Sequence, residues 1–167
     1  MGVQDGDNTA AISGGQMLTF CLGAETYGVD ILRVKEIRGW SAVTRIPQSP
    51  PHVLGVLNLR GAIVPIIDMR LRFALASAEF SPMTVIIVLS LRTDEGIREC
   101  GIVVDSVSDV VDVAPGAIKP PPQLGGERNE TFINGLANVD NRMLILLNVD
   151  DLVIRDIRRT GAMGAAA

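Results

Sequence analysis

Two stretches decide the fold: GVLNLRGAIVPIID, from Gly55 to Asp68, and GLANVDNRMLILLN, from Gly135 to Asn148. Laid one over the other they match without a gap, 80 residues apart (135 − 55). Gly55 falls on Gly135, Asn58 on Asn138, Arg60-Gly61 on Asp140-Asn141, and Asp68 on Asn148. The apolar run 63–67 falls on 143–147. Each stretch reads as two strands joined by a two-residue turn, and such turns take positive φ at one or both central positions. Gly61 supplies it without strain, and Asn141 is the next best residue for it. Any polar residue would serve the turn at Arg60, so its charge is either merely solvated or put to use.

The flanking segments echo each other in the same order. GVDILRVKEI from Gly28 lies over GIVVDSVSDV from Gly101, TRIPQSP (44–50) resembles IKPPPQL (118–124), and MLTFCLG (17–23) corresponds loosely to TVIIVLS (84–90). One unit of strand, long strand, Pro-rich loop and hairpin therefore occurs twice. Short apolar runs without long helical periodicity exclude a doubly wound sheet, and two small packed barrels are the natural way to dispose of the sheet edges. The copies span about 16–75 and 83–150 of an ordered region 16–158, between polar or small-residue tails at 1–15 and 159–167. Strands are expected over 17–22, 27–37, 55–59, 62–67, 84–89, 101–113, 132–139 and 142–149. Pro65 argues for an edge or a bulge in its strand. Short helices are expected at 68–75, capped by Asp68, and at 149–159, capped by Asp150 or Asp151.

Composition narrows the function. The 167 residues are 47% hydrophobic, enough for a core. Fifteen Lys and Arg against nineteen Asp and Glu give a net charge of −4, and aromatics are 4%, which argues against nucleic acid as a partner. No apolar run approaches a membrane span, and the first fifteen residues lack a signal peptide's pattern, so the expectation is a cytoplasmic protein without direct membrane insertion. Cys21 and Cys100 read as buried thiols. His52, the single histidine, reads as a surface residue and cannot build a histidine-based metal site. There is no G-x-S-x-G elbow, P-loop or G-x-G-x-x-G, so no catalytic residue, metal or cofactor is assigned. Asp105 and Asp109, four apart on an expected strand, read as an exposed acidic stripe. Trp40 reads either as a seal on a barrel end or as an interface residue.

Taken together, YGVDILRVKEIRG, TRIP, GVLNLRGAIVPIIDMR, GIVVDSVSDV and NRMLILLNVDDL resemble the CheW-type chemotaxis coupling proteins over about Gln16 to Leu152. The resemblance implies a mainly β fold of two intertwined SH3-like five-stranded barrels, in agreement with the repeat. It implies a non-enzymatic adaptor joining the cytoplasmic tips of methyl-accepting chemoreceptors to the regulatory domain of the chemotaxis histidine kinase. Receptor-contact positions carried over are Val34, Glu36, Gly55 and Arg60, with Ile86 beside them, and Leu124 is the candidate kinase contact. The rival readings are a coupling protein of another chemosensory pathway, such as surface motility, and a small-ligand-binding barrel.

Overall fold

The computed structural model describes residues 14–75, 79–121 and 133–151. Among these residues eleven strands run in chain order: β1 (Gly15–Leu22), β2 (Glu25–Asp30), β3 (Val34–Gly39), β4 (Val53–Leu59), β5 (Ala62–Asp68), β6 (Val85–Thr93), β7 (Gly96–Val104), β8 (Ser106–Val113), β9 (Ile118–Lys119), β10 (Ile133–Val139) and β11 (Arg142–Leu147). Among the described residues one short helix, α1, spans Met69–Arg72, and helical turns occupy Ile31–Arg33, Pro115–Ala117 and 149–151. The strands form a five-stranded sheet, β3-β6-β7-β5-β4, and a six-stranded sheet, β8-β1-β2-β11-β10-β9.

The two sheets have the same plan with the halves exchanged. In the first, the β4–β5 hairpin runs parallel to β7, with Ile66 beside Gly101. In the second, the β10–β11 hairpin runs parallel to β2, with Leu146 beside Gly28. Each half of the chain thus completes the other half's sheet, and the barrels are interlocked. The registers agree to the residue. The Val53/Gly55 bulge against Ile67/Ile66 recurs as Ile133/Gly135 against Leu147/Leu146. Thr44 straps Val56 as Lys119 straps Leu136, the position 80 residues on. With Gly28 and Gly101 as anchors, Thr19 corresponds to Val88, so the first strands of the two copies match two residues away from the alignment of MLTFCLG on TVIIVLS. A shift by two preserves the inward face, which is why sequence comparison missed it.

Three apolar clusters result. A central one takes Phe20, Leu22, Ile87, Leu89, Ile102 and Val104, and each barrel has its own: Leu54, Val64, Ile66, Ile86, Val88 and Val103 in one, Met17, Val113, Ala137, Leu144 and Leu146 in the other. Successive residues of β6 alternate between the central core and a barrel core, so both faces are buried and the strand reads as an unbroken apolar run.

Several expectations need correction. The strand expected at 27–37 is broken by the Ile31–Arg33 turn, where the Asp30 carboxylate accepts the Leu32 N–H at 2.9 Å. The strand at 101–113 is likewise interrupted at Asp105. Pro65 is in an interior strand; it is tolerated because the ladder to β7 begins only at Ile66. Asp68 does cap α1, accepting the Arg70 N–H at 3.0 Å. At 149–151 the cap is neither Asp150 nor Asp151: Asn148 Oδ1 accepts the Asp151 N–H at 3.3 Å, and Asp150 is occupied elsewhere. His52 is half-buried rather than on the surface, its carbonyl accepts the Asp68 N–H at the hairpin base, and Cys21 is half-buried while Cys100 is fully so. The region around Leu124, the two tails beyond Gly14 and 151, and the rest of the expected C-terminal helix lie outside the described residues.

Candidate functional site

Both hairpin turns place both central residues at positive φ: Arg60 at 54° and Gly61 at 87°, Asp140 at 53° and Asn141 at 64°. An arginine therefore sits in the left-handed region, where a glycine would fit more readily. Asn58 steadies the turn by accepting the Gly61 N–H at 3.0 Å. The Arg60 side chain is 61% exposed, and its Nη1 donates to Glu36 Oε1 at 2.7 Å. The other Glu36 oxygen accepts from Arg38 Nη1 at 3.0 Å. One carboxylate on edge strand β3 thus ties the apex of the β4–β5 hairpin to the strand on the far side of the same sheet, closing the barrel mouth. The hydrogen bonds from Arg60 and then Arg38 hold the Glu36 carboxyl below its ordinary range, and Glu36 in turn raises Arg60.

The second copy has its own clasp. Asp109 stands at the position of Glu36, at the same bulge in its edge strand, and Arg142 approaches it at 3.5 Å. Thr19 Oγ1 donates to Asp109 Oδ1 at 2.5 Å; that bond, helped by Arg142, lowers the Asp109 pKa. Asp105 accepts the Gly23 N–H at 2.8 Å and a bond from Arg70 Nη1 at 3.2 Å. The two aspartates are therefore engaged separately and form no acidic stripe.

Among the carried-over positions, only Glu36 and Arg60 meet. Val34 lies on the other face of β3, because the bulge at Lys35 resets the alternation; it is opposite Leu89 and packs on the central core. Ile86 is fully buried in the barrel core, across from Arg38. Gly55 is also buried, at φ 149°, where an added Cβ would meet the Thr44 carbonyl oxygen at 2.0 Å. Its role here is to let the strap pass, and Gly135 does the same beneath Lys119, with 2.8 Å to that carbonyl.

Two features were missed. Arg38 shares Glu36, although its two-residue spacing in VKEIRG placed both on one strand face. Arg70 is fully buried: Nε and Nη2 bind the two Asp68 oxygens at 2.9 and 3.0 Å, Nη1 donates to the Glu79 carbonyl at 2.6 Å, and the guanidinium lies 4.9 Å from the Phe80 ring. Burial pushes its pKa down, but Asp68 and Asp105 outweigh that and keep it firmly charged. The Asp68-x-Arg70 spacing was the available signal, and a fork of donors on a carboxylate is the geometry that suits arginine. Trp40, half-buried, stacks on Phe80 at 4.2 Å and packs on the barrel core, which is the sealing role.

Among the described residues no helix is long and apolar enough to cross a membrane, and no group of His, Cys, Asp and Glu has the arrangement of a metal site. Residues 16–156 match the model of the CheW-like domain family. The chain is 45% identical over 140 residues to "Chemotaxis protein CheW" of Klebsiella aerogenes, covering 84% of this chain and 82% of that one. It is 36% identical over 137 residues to "Probable chemotaxis protein CheW" of Rhizobium etli, covering 82% and 86%. The crystal structure of the scaffolding protein TtCheW from Thermoanaerobacter tengcongensis matches with a TM-score of 0.75 at 31% identity, over 83% of this chain and 92% of that one.

Proposed function

The chain belongs to the CheW-like domain family, and from that premise we propose that it is a chemotaxis coupling adaptor that holds other proteins together and catalyses nothing. Its partners are the cytoplasmic tips of methyl-accepting chemoreceptors and the regulatory domain of the chemotaxis histidine kinase, in arrays on the cytoplasmic side of the membrane. The observation that carries the reading is Arg60. A bulky cation is held in a backbone conformation better suited to glycine, at an exposed apex, and aimed by a carboxylate. Strain of this kind at an exposed position points to a functional demand on the side chain. Its fork of donors suits the carboxylates and helix-end carbonyls of a helical hairpin, and arginine is favoured at interface hot spots. Gly55 and Ile86, being buried, support such a surface from beneath, and Val34 supports it from the core side. Leu124 is retained as the proposed kinase contact.

The experiment is a binding titration of a receptor-tip fragment against the full chain and its Arg60→Ala variant. A loss of roughly tenfold or more is expected. Equal affinity, with both proteins folded, would reduce Arg60 to a solvated turn charge.

A further inference from the structure

Among the described residues, edge strand β3 is hydrogen-bonded along one side only, to β6, yet it carries Glu36. Something must fix its start. Arg33, the residue before β3, makes a two-pronged bond to Asp150: Nη1 to Oδ1 at 2.8 Å and Nη2 to Oδ2 at 2.6 Å. Nη1 also donates to the Ser90 carbonyl at 2.9 Å, and Asp150 Oδ1 accepts the Arg92 N–H at 3.0 Å. The pair therefore joins the break between β2 and β3 to the helical turn that follows β11 and to the end of β6. The bond to Asp150 outweighs burial and raises the Arg33 pKa.

The other half of the molecule contains the same latch with its charges exchanged. There the acid is on the strand break, Asp105, and the arginine is on the helix after the hairpin, Arg70, which occupies the place of Asp150. Asp105 accepts the Gly23 N–H, and the registers of β1–β2 and β6–β7 make Gly23 the counterpart of Arg92. In both halves the order along the chain is latch, edge strand, clasp: Arg33, β3 and Glu36 in one, Asp105, β8 and Asp109 in the other. The two latches differ in burial. Arg70 is sealed while its partner Asp105 is 36% exposed, whereas the side chains of Arg33 and Asp150 are 21% and 22% exposed. The first keeps only its arginine in the core, and in the second both partners reach solvent.

We propose that Arg33 and Asp150 are a positioning pair for the docking surface: by holding the start of β3 they set where Glu36 presents Arg60. The inference rests on the receptor reading above and adds two residues that act through β3. The test uses the full chain with Asp150→Ala, Arg33→Ala and the exchange Arg33→Asp with Asp150→Arg, which reproduces the polarity of the other half. Asp150→Asn, which retains an acceptor for the Arg92 N–H, serves if Asp150→Ala does not fold. Two quantities are read: hydrogen exchange of the Val34–Gly39 amides relative to β7, and affinity for a receptor-tip fragment, with Arg60→Ala alongside. Expected are about tenfold faster β3 exchange in the single variants, an affinity loss of roughly 3- to 30-fold, and recovery of both in the exchange variant. Unchanged β3 exchange in folded variants overturns the proposal. So does unchanged affinity in the latch variants when Arg60→Ala weakens binding. Unchanged affinity in every variant, Arg60→Ala included, overturns the receptor reading instead, and the exchange arm alone then decides whether the latch fixes β3.

Discussion

At the scale of single residues, the arginines divide by surroundings. Arg70 neutralises Asp68, whose side chain is 1% exposed, so Arg70→Ala leaves a carboxylate charge sealed in the barrel end. Breaking a buried pair on one side costs about 3–5 kcal/mol, and chemical denaturation should show a loss of that order. Arg60→Gly should behave in the opposite way. It removes a left-handed arginine, so the melting temperature should hold or rise while receptor binding falls, a split that calorimetry beside a binding titration reads directly. Glu36 gives a pH signature. Its carboxyl is depressed in the folded chain by Arg60 and Arg38, so the stabilisation is complete above the ordinary carboxylate range and is lost as pH falls through the depressed folded value. Carboxyl NMR titration should find Glu36 ionised below that range in the wild type and closer to it in Arg60→Ala. Arg60 was singled out because the repeat made its turn visible and the family resemblance carried a receptor contact onto it. Arg70 was not: the Asp68-x-Arg70 spacing hints at the pair, but that the guanidinium turns inward is set by the distant Glu79 and Asp105.

At the scale of elements, glycines mark where backbones cross. Beneath the Thr44 strap, Gly55 combines positive φ with a 2.0 Å approach to backbone, and backbone cannot yield. At Gly101 an added Cβ meets side-chain tips, Ile66 Cδ1 at 2.6 Å and Ile86 Cγ2 at 2.8 Å, while at Gly28 the nearest atom is Leu146 Cδ2 at 3.1 Å. Denaturation midpoints of the three Gly→Ala variants should therefore fall in the order Gly55 worst, Gly101 next and Gly28 least. Overpacking at Gly101 should cost about 1–3 kcal/mol. The hairpins were legible in full, because turn chemistry and the apolar runs are local. The breaks at Ile31–Arg33 and Asp105 were not. Each is placed by an ion pair to a residue far along the chain, Asp150 and Arg70, which strand propensity does not register.

At the scale of the whole molecule, the duplication foretold two like barrels, and the family resemblance foretold their intertwining. The residues alone could not have done so, since both the swapped and unswapped pairings satisfy the same alternation of faces. The exchange has a clear consequence for cooperativity. Residues 1–82 alone would supply β3, β4 and β5 without β6 and β7, the two strands that join them in the five-stranded sheet. That fragment should show no cooperative thermal transition by circular dichroism. Mixed with 83–167, it should regain one, at a single midpoint.

The parallel contact between β2 and β11 also sets a timetable for biosynthesis. Tyr27 waits for Ile145, 118 residues later (145 − 27). At a translation rate of about 5–20 residues per second the delay is roughly 6–24 s. Through that interval the nascent β2 has a bare hydrogen-bonding flank, so polyribosomes crowded with this message hold many such flanks side by side, and a ribosome-associated chaperone is the natural guard against their pairing with one another.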